Sequence, residues 1–176
     1  MENLALQEHK IPARLHLRRV CQADCELLFA WANDPQVRQK SIHVSPILWD
    51  THVAWFAHEQ ADSNCLHFIA ESVDGLPVGQ IRLDISAVGT DRQEADISLS
   101  LDVNQRGKGY GVPLITEGMT TLFQTTPVRC AHAWVQPDNL PSQRAFLHAG
   151  FSFIGLEIKE GLALHHYCID DIHPHA

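Results

Sequence analysis

Long hydrophobic runs are missing from this chain. No apolar stretch among its 176 residues reaches the roughly 18 that a membrane-spanning helix needs, so no transmembrane helix is expected. The opening residues, Met1 to Glu8, are acidic and lack an apolar signal segment, which makes the cytoplasm the default expectation. Paired cysteines are missing too. Cys21, Cys25, Cys65, Cys130 and Cys168 form an odd, scattered set, which argues against a disulfide framework and for reduced thiols. Positive charge is scarce: 13 Lys and Arg against 21 Asp and Glu give a formal net charge of −8, which disfavours broad nucleic-acid binding. The 12 histidines show no metal-ligand spacing. His165 and His166 are adjacent and face opposite ways on a strand, Cys21-x-x-x-Cys25 has no matching second pair, and His173 and His175 lie on the tail, so no metal is expected. Repeats, low-complexity tracts and linkers are absent as well.

What is present suits one domain over residues 1–176, with 1–11 and 171–176 as flexible ends. A 45% hydrophobic composition at this length supports a substantial core. Residues 13–20 alternate with period two and read as a strand. Asp24 is placed to cap a helix running to Trp31, Asn33-Asp34-Pro35 breaks it, and Pro35 opens a second short helix. Pro46 is placed to start a third helix, with His52, Trp55 and Phe56 on one face. Strands follow at 65–73, 77–85 and 94–101, the first two joined at Asp74-Gly75. A helix is expected over 110–124, a strand over 128–135, and a short helix from Ser142 to the glycine at 150. A hairpin of 151–154 and 162–169 closes the chain. The order implies a mixed α/β sheet flanked by helices.

The most informative stretch is Leu101-Asp102-Val103-Asn104-Gln105-Arg106-Gly107-Lys108-Gly109-Tyr110-Gly111. A strand enters a glycine-rich turn, and the turn enters an apolar helix. Such a junction gathers free backbone N–H groups at a helix N-terminus, a ready site for phosphate. It is not a P-loop, because no Gly-Lys-Ser/Thr follows. It is not a dinucleotide fingerprint, because the glycine spacing and a βαβ unit are both missing.

Arg106-x-x-Gly109-x-Gly111 after Leu-Asp-Val resembles the acetyl-CoA loop of the GCN5-related N-acetyltransferases, the GNAT family. Asn139, Ser142, Gly150 and Phe151 are similar to that family's second motif, and the resemblance spans roughly residues 12–170. It implies a GNAT fold of the α/β (α+β) class: a mixed, mostly antiparallel sheet of about seven strands, splayed between the fourth and fifth. It also implies transfer of acetyl from acetyl-CoA to a primary amine, with acetyl-CoA as co-substrate and no metal. Leu101, Val103, Arg106, Gly107, Lys108, Gly109, Tyr110, Gly111, Val112, Asn139, Ser142 and Phe146 are then the expected cofactor contacts. Backbone N–H groups from Arg106 to Val112 would hold the pyrophosphate, and one near Leu101 to Val103 would polarise the thioester carbonyl.

Attack by an amine requires loss of a proton, and departure of a thiolate requires gain of one. Family members often place a Glu on the fourth strand as base. Glu94 is the first candidate and Asp96 the second, sharing a face opposite Ile97 and Leu99, although ordinary solvent-facing carboxylates have the same pattern. Many GNAT enzymes carry a proton-donating Tyr four residues before the Gly-Phe pair. Phe146 stands there, which leaves Ser142 as the nearby hydroxyl.

The segment Trp31 to Arg38, Ser41 and His52 to Phe56, together with Pro77 to Arg82, is similar to the branch that acetylates nucleotide-linked amino sugars. Ribosomal-protein N-terminal acetyltransferases carry a related pattern. Trp31, Arg38, His52 and Trp55 are the acceptor-contact candidates, with helix-face core packing as the other reading of the aromatics. A small-molecule amine acceptor, no nucleic acid, no membrane and a homodimer complete the expectation. The other readings are a protein N-terminal acetyltransferase and a module that binds acetyl-CoA without turnover.

Overall fold

The computed structural model describes residues 14–88 and 92–171. The expected start of the first strand at residue 13, the segment 1–11, and His173 and His175 lie outside the described residues. In order come β1 (Leu15–Arg19), a 3₁₀ turn (Gln22–Asp24), α1 (Cys25–Ala32), α2 (Pro35–Lys40), α3 (Trp49–Ala61), β2 (Cys65–Ser72), β3 (Pro77–Val88) and β4 (Arg92–Leu101). They are followed by α4 (Gly111–Thr125), β5 (Cys130–Val135), α5 (Leu140–His148), β6 (Ser152–Lys159) and β7 (Leu162–Asp170). The third helix starts at Trp49 rather than Pro46, after an extended Leu48. The last hairpin is longer than its alternation suggested, because β6 pairs with β7 along its length apart from a bulge between Phe153 and Gly155.

Seven strands form one sheet in the order β1-β2-β3-β4-β5-β7-β6. Every neighbouring pair is antiparallel except β4 and β5. Those two run parallel only over 94–97 and 130–133, although β4 continues to Leu101 and β5 to Val135. The sheet therefore opens beyond Ile97 and Ala133, as the splay implied by the resemblance requires.

Period-two alternation divides each strand between two environments. Ala95 and Ile97 of β4, Ala131 and Ala133 of β5, and Tyr167 of β7 face the main core with Leu114, Ile115, Met119 and Leu122 of α4. Each fully buried Leu or Ile there contributes about 1.5–3 kcal/mol. A second cluster joins Leu28 and Trp31 of α1, Phe56 of α3 and Ile69 of β2. Glu94, Asp96, His132, Trp134 and His166 fall on the face opposite the main core.

Gly79 fixes how closely β3 approaches the end of β4. A Cβ at that position would lie 2.5 Å from the backbone oxygen of Ser100 and 3.1 Å from Cα of Leu101, and backbone cannot swing aside. Gly79→Ala is expected to cost about 1–3 kcal/mol, read as a lower denaturant midpoint. An unchanged midpoint would mean that β3 and β4 are not held this tightly.

Candidate acyl-transfer cleft

The loop after β4 is organised by Asp102. Its N–H donates to the Val78 carbonyl (3.0 Å), and its carbonyl accepts from the Gln105 N–H (2.9 Å). Its carboxylate accepts from Trp31 Nε1 (2.9 Å) and the Asn104 N–H (2.8 Å). Burial opposes ionisation of Asp102, but these donors outweigh it and hold the carboxyl below its ordinary range. The chain then passes through left-handed backbone at Gly107 (φ 74°) and Gly109 (φ 90°). A Cβ added at either glycine meets nothing within 4 Å, so the backbone lies open to a ligand. Helix α4 begins at once, and no side chain caps its first N–H groups. An open nest at the start of a 15-residue helix suits a pyrophosphate.

The Arg106 side chain is committed elsewhere. Its guanidinium donates to Asp34 (2.7 Å), Gln36 (2.8 Å) and the Leu101 carbonyl (3.2 Å), which leaves its backbone N–H as the group in the nest. Lys108 donates to Gln105 (3.1 Å). At the other end of α2, Lys40 reaches Asp138 (2.6 Å), and Gln136 donates to the Ser41 carbonyl (3.1 Å). Helix α2 thus straps the loop after β4 to the loop after β5 across the opening of the sheet. Burial disfavours an ionised Asp34, but Arg106 and the N–H groups of Val37 and Gln36 prevail and hold its carboxyl low.

The Asp102–Val78 bond sets the ladder alternation. It makes 102, 100 and 98 the hydrogen-bonded positions toward β3 and turns the N–H groups of Leu99 and Leu101 toward β5, where the pairing has ended. Beside this opening, on the face away from α4, lies a concavity of about 340 Å³ lined by Ser86, Glu94, Asp96, His132, Trp134, Glu157, Lys159 and His166. Glu94 bonds His132 Nε2 (3.0 Å), His132 Nδ1 meets His166 Nε2 (2.9 Å), and His166 Nδ1 bonds Glu157 (2.9 Å). This line crosses four strands. Asp96 accepts from Trp134 Nε1 (2.7 Å) and Lys159 (2.6 Å). The Trp134 ring stacks on His166 (centroids 4.1 Å, 7°) and has the Lys159 ammonium over it (4.4 Å). The pocket is acidic, with three carboxylates against one ammonium.

Several expected contacts sit elsewhere. Phe146 is core, 5% exposed and packed on Phe151 and Tyr167, so it is not on a cofactor surface. Trp31 is 6% exposed, with its N–H on Asp102, and His52 is 1% exposed, with Nε2 at 2.8 Å from the Cys25 carbonyl. Both are built into the α1–α3 core, out of reach of an acceptor. Arg38 staples its own loop through the His43 carbonyl and Ser41 Oγ. Trp55 remains partly exposed beneath Arg82. The Asn139 side chain caps α5 at the Ser142 N–H, Val103 is exposed, and Leu101 and Tyr110 pack partly on the core. Sequence reasoning missed His132, Trp134, Glu157, Lys159 and His166. The one signal for them was the polar alternation Cys130-x-His132-x-Trp134 inside an apolar strand.

A family model described as an acetyltransferase (GNAT) domain matches residues 14–152. A search of curated proteins by sequence finds no match. Solved structures with the same fold include a spermidine N-acetyltransferase from Vibrio cholerae in complex with CoA and spermine (TM-score 0.79, 17% identity, covering 89% of this chain and 95% of that one). Another is the aminoglycoside acetyltransferase AAC(6')-Ib in complex with coenzyme A (0.76, 23%, 89% and 95%). A domain from Methanocaldococcus jannaschii is also similar (0.73, 21%, 90% and 99%). These likenesses establish the fold.

The Asp34–Arg106 pair carries a pH signature. A carboxyl held low in the folded chain stabilises it above its unfolded value near pH 4, and that contribution is lost as pH falls through the lower folded value. Asp34→Asn keeps an N-cap side chain on α2 and removes only the charge. It should lower stability at pH 7 by about 1 kcal/mol and flatten the fall in urea midpoint below about pH 4. Parallel pH profiles for the two proteins would show that the strap is not held by this ion pair.

Proposed function

The chain belongs to the GNAT acetyltransferase family and is an acetyl-CoA-dependent N-acetyltransferase; we propose that its acceptor is a small amine bearing a second positive charge, a polyamine or an aminoglycoside-type amino sugar. The carrying observation is the acidic concavity beside the opening of the sheet, where Glu94, Asp96 and Glu157 outnumber Lys159. A polycationic amine is drawn to such a site, whereas the diphosphate of a nucleotide-linked sugar is repelled. Two of the four residues behind the nucleotide-sugar expectation, Trp31 and His52, are core, and Arg38 is bonded within its own loop. The Trp134 ring is already engaged by His166 and the Lys159 ammonium. Among the proteins of like fold, one was solved with spermine and another with kanamycin.

Acetyl-CoA supplies an activated thioester carbonyl. In this reading the backbone N–H groups from Arg106 to Val112 bind its pyrophosphate, and the Leu101 N–H, turned into the opening, polarises the carbonyl. Glu94 stands seven residues, about 23 Å, along β4 from Leu101. In this reading it therefore takes the proton of the attacking ammonium through a chain of water, and Asp96, nearer the opening, holds the acceptor's second charge. Phe146 has no proton to give, so the Ser142 hydroxyl is assigned to return one to the thiolate. The exposed apolar residues Phe153, Leu156 and Ile158 on the edge strand β6 support the expected homodimer.

Release of CoA thiol, followed across spermidine, kanamycin, UDP-linked amino sugars and N-terminal peptides, tests the acceptor class. Turnover with spermidine or kanamycin is expected. Turnover confined to the nucleotide sugars or to the peptides would overturn it. Glu94→Gln should lower kcat by about 10²-fold or more with the KM for acetyl-CoA unchanged. A wild-type rate would remove Glu94 as the base.

A further inference from the structure

Chain spacing gives no metal-ligand set because Cys168 lies 36 residues beyond His132 and 38 beyond Cys130, yet the β5–β7 register brings them together. Cys130 and His132 stand two apart on β5 and share a face. On β7, Cys168 is the partner of His132, and Asp170 is the partner of Cys130. One donor atom each from Cys130, His132 and Cys168 lies within 4.8 Å of the others, and this is the one such trio of His, Cys or carboxylate donors found among the described residues. We propose that Cys130, His132 and Cys168 bind a single soft divalent cation of the zinc class.

The donor chemistry selects that class. Two thiolates and an imidazole suit Zn²⁺ and exclude the hard cations Mg²⁺ and Ca²⁺, which take oxygen ligands. Tetrahedral zinc, with bonds of about 2.3 Å to sulfur and 2.0 Å to nitrogen, places its ligand atoms roughly 3.5–3.8 Å apart. Side-chain rotations of about an ångström convert the present spacing to that one. Cys130 is 2% exposed, and burial, then the neighbouring Cys168 and Asp170, push its thiol above the ordinary range. Binding is an exchange: the cation enters, two thiol protons leave, and the two thiolate charges cancel the charge of the ion. His132 gives one nitrogen to the metal and keeps the other on Glu94 or His166, the outer contact that commonly orients a ligating imidazole. Glu94, the β4 partner of Cys130, or water would supply the fourth position.

The site shares His132 with the acceptor pocket. Resting on the proposed role of Glu94, occupancy re-orients His132 and slows acetyl transfer.

The test does not depend on turnover. Chelator-stripped protein, kept reduced with a phosphine and free of acetyl-CoA, is titrated with Co²⁺. One equivalent should produce thiolate-to-cobalt charge-transfer absorption with the visible bands of a tetrahedral ion, and Zn²⁺ should erase both. Cys130→Ser/Cys168→Ser should abolish the spectrum, and His132→Gln should weaken Co²⁺ at least tenfold, with acetyl-CoA binding retained as proof of folding. Absence of the charge-transfer band in the native protein, or its survival in the double variant, overturns the proposal. Failure of the acceptor assignment leaves the cobalt spectrum untouched.

Discussion

The short parallel pairing of β4 with β5 is the constraint on which the molecule depends. Four residues of each strand hydrogen bond, 94–97 with 130–133, and then the strands part. Every other neighbouring pair is antiparallel, so this is where the sheet has a seam. Pairing below the seam places Glu94 and Asp96 beside His132 and Trp134 and so builds the acidic pocket. Parting above it turns the N–H groups of Leu99 and Leu101 into an opening that leads to the glycine loop. One local choice of register therefore supplies a wall for the acceptor and a slot for the cofactor arm.

The rest of the fold holds that seam at a fixed width. Helix α4 packs Leu114, Ile115 and Leu122 against strands on both sides of it. On the opposite side α2 ties Arg106 to Asp34 and Asp138 to Lys40, joining the two loops that flank the opening. Asp102 connects these layers, because it anchors the loop to β3 through its N–H and to Trp31 of α1 through its carboxylate. Arg106 and Trp31 thus act on the cofactor loop as supports. That explains why residues with the chemistry of ligand contacts are found bonded within the chain.

The glycine loop was legible in the sequence because its physics is local. Left-handed φ at 107 and 109, and an uncapped helix start, follow from residue types a few positions apart. The shared face of Glu94 and Asp96 was legible for the same reason. Trp31 and His52 kept two readings in the sequence because an aromatic at helical spacing has the same pattern whether it meets a substrate or a core, and burial decides between them. The His132–His166 contact and the Cys130–Cys168 neighbourhood were hidden, since they arise from strand pairing between residues more than 30 positions apart. The opening of the sheet came only through the family resemblance, as alternation along β4 and β5 does not reveal where their pairing stops.

Amide hydrogen exchange over residues 99–112, with and without acetyl-CoA, is the most direct measurement of the seam and its loop. Strong protection of Leu101 and of the amides from Arg106 to Val112 on binding is the expected result. Unchanged exchange across that stretch, with acetyl-CoA bound and protection appearing elsewhere, would contradict the placement of the cofactor in the opening between β4 and β5.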